Sequence, residues 1–182
     1  MTDEEILSLA VSFGFKAAFA TPEDIPIVPE YRGYCAENRC GQFGANYSCP
    51  PSCGSVESMH NSLLGEEKAL ILSSVWDIDG YQDAVSIKKG AFAHNTKTLR
   101  LLARLRDEGF DGFVVGAGNC TLCSSCRMSL GEPCLRPSER FSCMSAYCVD
   151  VARLAEKCGL DFLWDPAKLH SYGMILFHRK RQ

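Results

Sequence analysis

The run KALILSSVW, Lys68 to Trp76, the periodic stretch from Asp83 to Glu108, and FVVGAG, Phe113 to Gly118, together decide the fold class. Lys68–Trp76 has the length and apolar content of a buried strand. In Asp83–Glu108 the apolar residues Val85, Phe92, Leu99 and Leu102 recur at helical spacing, and Gly109 is the stop. FVVGAG then ends a further strand. Upstream, Thr2 and Glu5 make a capping box before the stripe Ile6, Leu9, Ala10 and Phe13, which ends at Gly14. Phe15 to Ala20 reads as a short strand, and Pro22, Pro26 and Pro29 force an extended loop. A helix follows near Val56 to Leu64. Downstream, Ala146 to Lys157 reads as a helix stopped by Gly159, with Cys148, Val151, Ala152, Ala155 and Cys158 on one face. Leu160 to Trp164 and Tyr172 to Phe177 are two more strand candidates, separated by Asp165-Pro166. The alternation predicts an α/β protein, a single domain over residues 1–182 with a mixed sheet, flanking helices and two cysteine-rich loops.

At 182 residues such a domain buries roughly 70% of its unfolded surface, so no metal is needed merely to make a core. The hydrophobic fraction of 46% and charged fraction of 23% are those of a soluble globular chain. A net charge of -3 gives no general attraction to nucleic acid, and the basic tail His178-Arg179-Lys180-Arg181 reads as a solvated end. Ala18-Phe19-Ala20 imitates a signal-peptide cleavage site. Upstream of it, however, Asp3, Glu4 and Glu5 stand where basic residues belong, and Lys16 interrupts the apolar run. No stretch approaches the ~18 apolar residues of a membrane span. Eleven cysteines, an odd number, do not make a complete set of internal disulfides. The expected setting is therefore a reducing cytoplasm, where such cysteines mean metal or redox chemistry.

The chemistry concentrates in NCTLCSSCRMSLGEPCLRP, Asn119 to Pro137. Cys120, Cys123 and Cys126 are each separated by two residues, and Cys134 follows after seven more. Runs of C-x2-C-x2-C with a distal Cys-Pro hold [4Fe-4S] clusters, whereas zinc sites pair ligands from two separated knuckles. The last gap is longer than in bacterial ferredoxins, and in two-cluster ferredoxins the fourth cysteine serves the other cluster. Just before this run, Gly116 and Gly118 begin like a dinucleotide-binding turn, but Thr121 stands where the third glycine belongs. The two glycines read instead as clearance for a cluster beside a strand end. Arg127, Arg136 and Arg140 flank the run and are placed to balance a buried negative centre or simply to face solvent.

The earlier group is Cys35, Cys40, Cys49 and Cys53, in YCAENRCGQFGANYSCPPSC. Gly41 and Gly44 let the backbone fold closely, and Pro50-Pro51 stiffen the exit. Its intervening stretches of four, eight and three residues fit a second iron-sulfur cluster, a four-cysteine zinc site, or plain structure without metal. Cys143 is left open, while Cys148 and Cys158 read as small core residues. His94 reads as a surface or packing residue of the long helix, and His60, His170 and His178 have no better claim to a metal.

Both cysteine groups together resemble a family of predicted metal-binding proteins, the domain of unknown function twenty-two eighty-four, whose members come mainly from anaerobic bacteria and archaea. The shared pattern is Cys35, Cys40, Phe43-Gly44 and Cys49-Pro50-Pro51, then Cys120, Cys123, Cys126, Cys134 and Pro137. An Ala-x-Gly-x-Asp-Val segment of the family resembles Ala146 to Val151, with Cys148 in place of the glycine. Cys53 has no required counterpart in that pattern, so the resemblance leaves open whether the first site has three protein thiolates or four.

Three functions are compatible with these motifs. One is a redox or electron-transfer accessory protein carrying one or two clusters and passing electrons to an unidentified redox partner. Another is an enzyme whose open-site iron-sulfur centre acts on a small molecule. The last is a zinc-stabilised interaction module. The radical-SAM triple, with gaps of three and two residues, is absent.

Overall fold

In the computed structural model, which describes residues 1–180, two long strands explain the layering. β2 (Lys68–Asp77) and β5 (Lys168–Arg179) run antiparallel, with Lys68 opposite Phe177 and Asp77 opposite Lys168. Along β2, Leu70 and Leu72 face one layer while Ala69 and Ile71 face the other; along β5, Ile175 and Phe177 alternate with Met174 and Leu176. Both faces are covered, which is why successive residues are apolar. Each such side chain contributes about 1.5–3 kcal/mol of transfer free energy on burial.

β1 (Lys16–Ala20) pairs antiparallel with β2, and β3 (Phe110–Gly116) antiparallel with β5. The short β4 (Ser142–Cys143) lies parallel to β3. The sheet is therefore mixed, in the order β1-β2-β5-β3-β4, and the chain is α/β. On one face pack α1 (Asp3–Ser12) and α4 (Ala84–Asp107). The other face carries α3 (Val56–Leu64), α5 (Val151–Lys157) and the segment from Met144 to Val149. Local caps set the helix starts: Thr2 and Glu5 close a capping box, Ser55 accepts from the Ser58 amide, and Asp83 accepts from the Val85 and Ser86 amides.

Four expectations are corrected. First, Val85 and Phe92 do not lie on the buried face of α4; they are 61% and 54% exposed. Around its middle it buries Gly90, His94, Asn95 and Thr98 instead. A Cβ at Gly90 would stand 2.9 Å from Leu169 and 3.2 Å from Trp76, so the helix sits too close to the sheet for larger residues. The His94 Nδ1 is 2.7 Å from the Ser74 hydroxyl, which also accepts from Trp76 Nε1. His94 is thus a packed core residue.

Second, the last helix begins at Val151 and not at Ala146, because Asp150 caps it by accepting from the Arg153 amide. Cys148 precedes the cap with φ +58°, a left-handed conformation that no helix continues. Cys148 and Cys158 therefore do not share a helix face. Cys148 is buried, and Cys158 is the C-cap.

Third, Leu160–Trp164 forms no strand. β5 already pairs on both sides, and Phe162, Leu163 and Trp164 are exposed, with Trp164 stacked on Tyr81. Fourth, the proline-rich loop contains single turns at Pro22–Asp24 and Pro29–Tyr31, then the short α2 (Arg32–Ala36). Of the basic tail, His178 and Arg179 belong to β5, and Arg181 lies outside the described residues. Among the described residues no helix is long and apolar enough to cross a membrane.

Candidate metal centre

The carboxyl end of β3 delivers the Cys120 run. Gly116 provides clearance, but for protein: a Cβ there would stand 2.6 Å from the Phe141 ring and 2.8 Å from Asn95 Oδ1. That oxygen accepts from the Ala117 amide at 2.8 Å and fixes where the chain leaves the sheet. Gly118 differs, since a Cβ there would meet only Ala91 at 3.7 Å. After Cys126 a single turn, Arg127–Leu130, ends at Gly131 with φ +69° and sends the chain back towards Cys134.

Cys120, Cys123, Cys126 and Cys134 line one cavity of about 300 Å³, whose opposite wall is formed by Ala45 to Ser48. Arg127, Arg136 and Arg140 also line it, and no carboxylate does. Arg127 pairs with Glu132 and Arg136 with Glu139, both at 2.6 Å. Arg140 has no carboxylate partner among the described residues and lies over the Tyr47 ring. Burial pushes the Cys120 thiol up, while hydrogen bonds from the Leu122 and Phe141 amides act the other way by favouring the thiolate.

The early group sits in a loop turned by Gly41 and Gly44, at φ +71° and +68°. The Gly44 amide donates to the Pro50 carbonyl at 2.8 Å, and the Cys53 amide to Cys49 at 3.1 Å. Burial raises the Cys35 thiol; Arg32 opposes the shift, and Cys148, Cys40 and Cys49 add to it. Burial likewise raises Cys49, whose further thiol neighbours are Cys40 and Cys53. Cys53 is engaged by Arg32, whose Nη1 lies 3.5 Å from its sulfur.

Two further thiols, Cys143, which the spacing leaves open, and Cys148, act on this group. Burial of the Cys143 sulfur pushes its thiol up to about 12, and the Cys49 and Cys35 charges add to the shift. Cys148 also adds to the upward shift of Cys35, whose sulfur lies 3.9 Å from the Ser145 carbonyl. The one local signal was the glycine that the resembling pattern places at Cys148, where the backbone is left-handed.

The two groups touch through Ser48. Its hydroxyl accepts from the Cys120 amide at 2.9 Å, donates to Asn46 Oδ1 at 2.6 Å, and lies 4.0 Å from the Cys49 sulfur. Tyr47 adds a bond from its hydroxyl to the Glu132 carbonyl at 2.9 Å.

All eleven cysteines are free thiols. Thiols buried without a counter-charge stay protonated, and a bound cation inverts that preference. The donor set fits a thiophilic metal. Among the described residues, however, no three His, Cys, Asp or Glu side chains converge on a point as a single ion requires.

The family model described as "Predicted metal-binding protein (DUF2284)" matches residues 19–177. The chain belongs to this family. The match takes in both cysteine groups, the last two residues of β1, all of β2, β3 and β4, and β5 up to Phe177. No curated protein and no solved structure matches the chain.

Proposed function

We propose that this family member is an iron-sulfur protein of the reducing cytoplasm that accepts electrons and passes them to a redox partner. Cys120, Cys123, Cys126 and Cys134 would hold a [4Fe-4S] cluster, and Cys35, Cys40, Cys49 and Cys53 a second centre. The observation that carries this is the single cavity lined by all four cysteines of the later run and rimmed by three arginines. Its volume favours a bulkier inorganic centre over one zinc ion. Such a centre supplies one-electron chemistry when bound. The chain's own groups would tune it. The Leu122 and Phe141 amides aimed at the Cys120 sulfur favour its thiolate and raise the reduction potential, and the arginines offset negative charge.

At the early group the engagement of Cys53 by Arg32 supports a second reading, a centre with three protein thiolates and one open position. Iron and labile-sulfide analysis with EPR on anaerobically purified protein tests the proposal. Brown protein with broad absorption near about 400 nm is expected. Colourless protein carrying stoichiometric zinc overturns it.

A further inference from the structure

Beside the cysteine cavity runs a groove of about 650 Å³ between the first half of α4 and the loop from Gly118 to Ser124. Lys88, Lys89 and Phe92 line it from the helix, and Cys120 and Cys123 belong to both the groove and the cavity. We propose that this groove binds a small organic anion with a flat apolar body and holds it against the cysteine cavity. The proposal rests on the preceding one only in taking Cys120 and Cys123 as cluster ligands.

Charge comes first. No carboxylate lines the groove. Lys16, Lys68, Lys157 and Lys168 each have an acidic partner, and Lys97 lies over Trp76, whereas Lys88 and Lys89 have no ion-pair partner among the described residues. The Lys88 ammonium and that of Lys89, which also acts on the Asp83 carboxylate, stand at the edge of a concavity lined by no carboxylate and favour an anion.

Shape and polarity give the rest of the ligand. Phe92 is exposed on a helix that turns His94, Asn95 and Thr98 inward, an inversion of the usual pattern that leaves an aromatic ring on the groove. Such a ring offers an offset-stacking face to a flat apolar body. Asn95 lines the same groove, and its Nδ2 is buried without a partner while its Oδ1 holds the Ala117 amide. An unpartnered buried amide is a donor that an anionic oxygen would satisfy. Gly118 keeps the floor open, since no side chain stands above Ala91 there.

The test is calorimetric titration of anaerobically purified protein with benzoate and with phenyl phosphate, and with acetate as an anion lacking the ring. Saturable binding tighter than roughly 10 mM is expected for at least one aromatic anion. Acetate should bind at least about tenfold more weakly. The exposed double variant Lys88→Ala/Lys89→Ala and the variant Phe92→Ala should each weaken binding by about fivefold. Gly118→Leu, which fills the floor, should abolish binding. The preference between benzoate and phenyl phosphate identifies the anionic group. Absence of saturable binding, equal affinity for acetate, or insensitivity to these variants overturns the proposal. Variant-sensitive binding by protein that contains no iron supports the groove and overturns only the cluster assignment.

Discussion

Ser48→Ala isolates the contact between the two cysteine groups. The substitution keeps the Cβ and removes an oxygen that accepts from the Cys120 amide at 2.9 Å and donates to Asn46 Oδ1 at 2.6 Å. Ser48 is only 1% exposed, so water does not replace the lost acceptor. Asn46 Oδ1 keeps a second donor, the Ser48 amide at 3.0 Å, whereas the Cys120 amide is left alone. Leaving one buried donor unsatisfied costs about 1–3 kcal/mol. A loss of about 2 kcal/mol corresponds to a fall in Tm of roughly 4–8 °C for a chain of this size. The damage falls on the backbone that places the Cys120 sulfur, so iron content per chain should drop together with Tm. Thermal unfolding and iron analysis of anaerobically purified protein measure both. Ser129→Ala is the control, because its hydroxyl caps an exposed turn by donating to the Cys126 carbonyl; its effect should stay within about 0.5 kcal/mol. A Ser48→Ala protein that matches the wild type in Tm and iron would show that the hydroxyl holds neither loop.

Three further outcomes are expected. Cys123→Ser should remove the brown colour, whereas Cys158→Ser, at a helix C-cap packed on the core, should keep it and change mainly stability; equal loss from both would refute the ligand assignment. Burial holds His94 neutral with a pKa lowered to about 3, so its contribution is complete above the unfolded value and is lost as pH falls and the unfolded chain takes up the proton. From pH 7 to pH 5 that loss is about 2 kcal/mol, and urea titrations at both pH values should show a smaller loss in His94→Gln; an equal slope would contradict the account. Gly112→Ala places a Cβ against the Leu176 carbonyl and 2.7 Å from the Phe177 Cα, both backbone of the central strand. Destabilisation above about 3 kcal/mol follows, measured by thermal unfolding, and a variant as stable as wild type would refute the clash.

The parts of the fold that were legible in the sequence are those set by local chemistry. Lys68 to Trp76 became β2 with one residue added, and Val56 to Leu64 is α3, because each is bounded by caps or turns within a few residues. The ends of α4 could be read from Asp83 and Gly109, and Leu102 is buried as its spacing implies, but the inward face around Val85 and Phe92 could not be read. Among the residues it buries are the polar His94 and Asn95, which become acceptable inside only once Ser74 and the Ala117 amide arrive from other strands and loops. The helix placed at Ala146 failed for a related reason, since a left-handed Cys148 leaves no mark in apolar periodicity. For the later cysteines, close spacing and the turn at Gly131 are enough to bring four thiols onto one cavity. The approach of Cys143 and Cys148 to Cys35 is set by the fold, and no spacing rule reaches across it.

That approach is clamped by main-chain bonds between distant parts of the polypeptide. The Val28 amide donates to the Cys148 carbonyl at 2.8 Å, and the Asp150 amide to the Pro26 carbonyl at 2.9 Å. During synthesis the thiols at Cys35 and Cys49 emerge long before the segment that will enclose them. Until Cys148 and Asp150 have been made, the early loop has no wall on that side. Its finished surroundings are consequently available only after synthesis has passed Asp150.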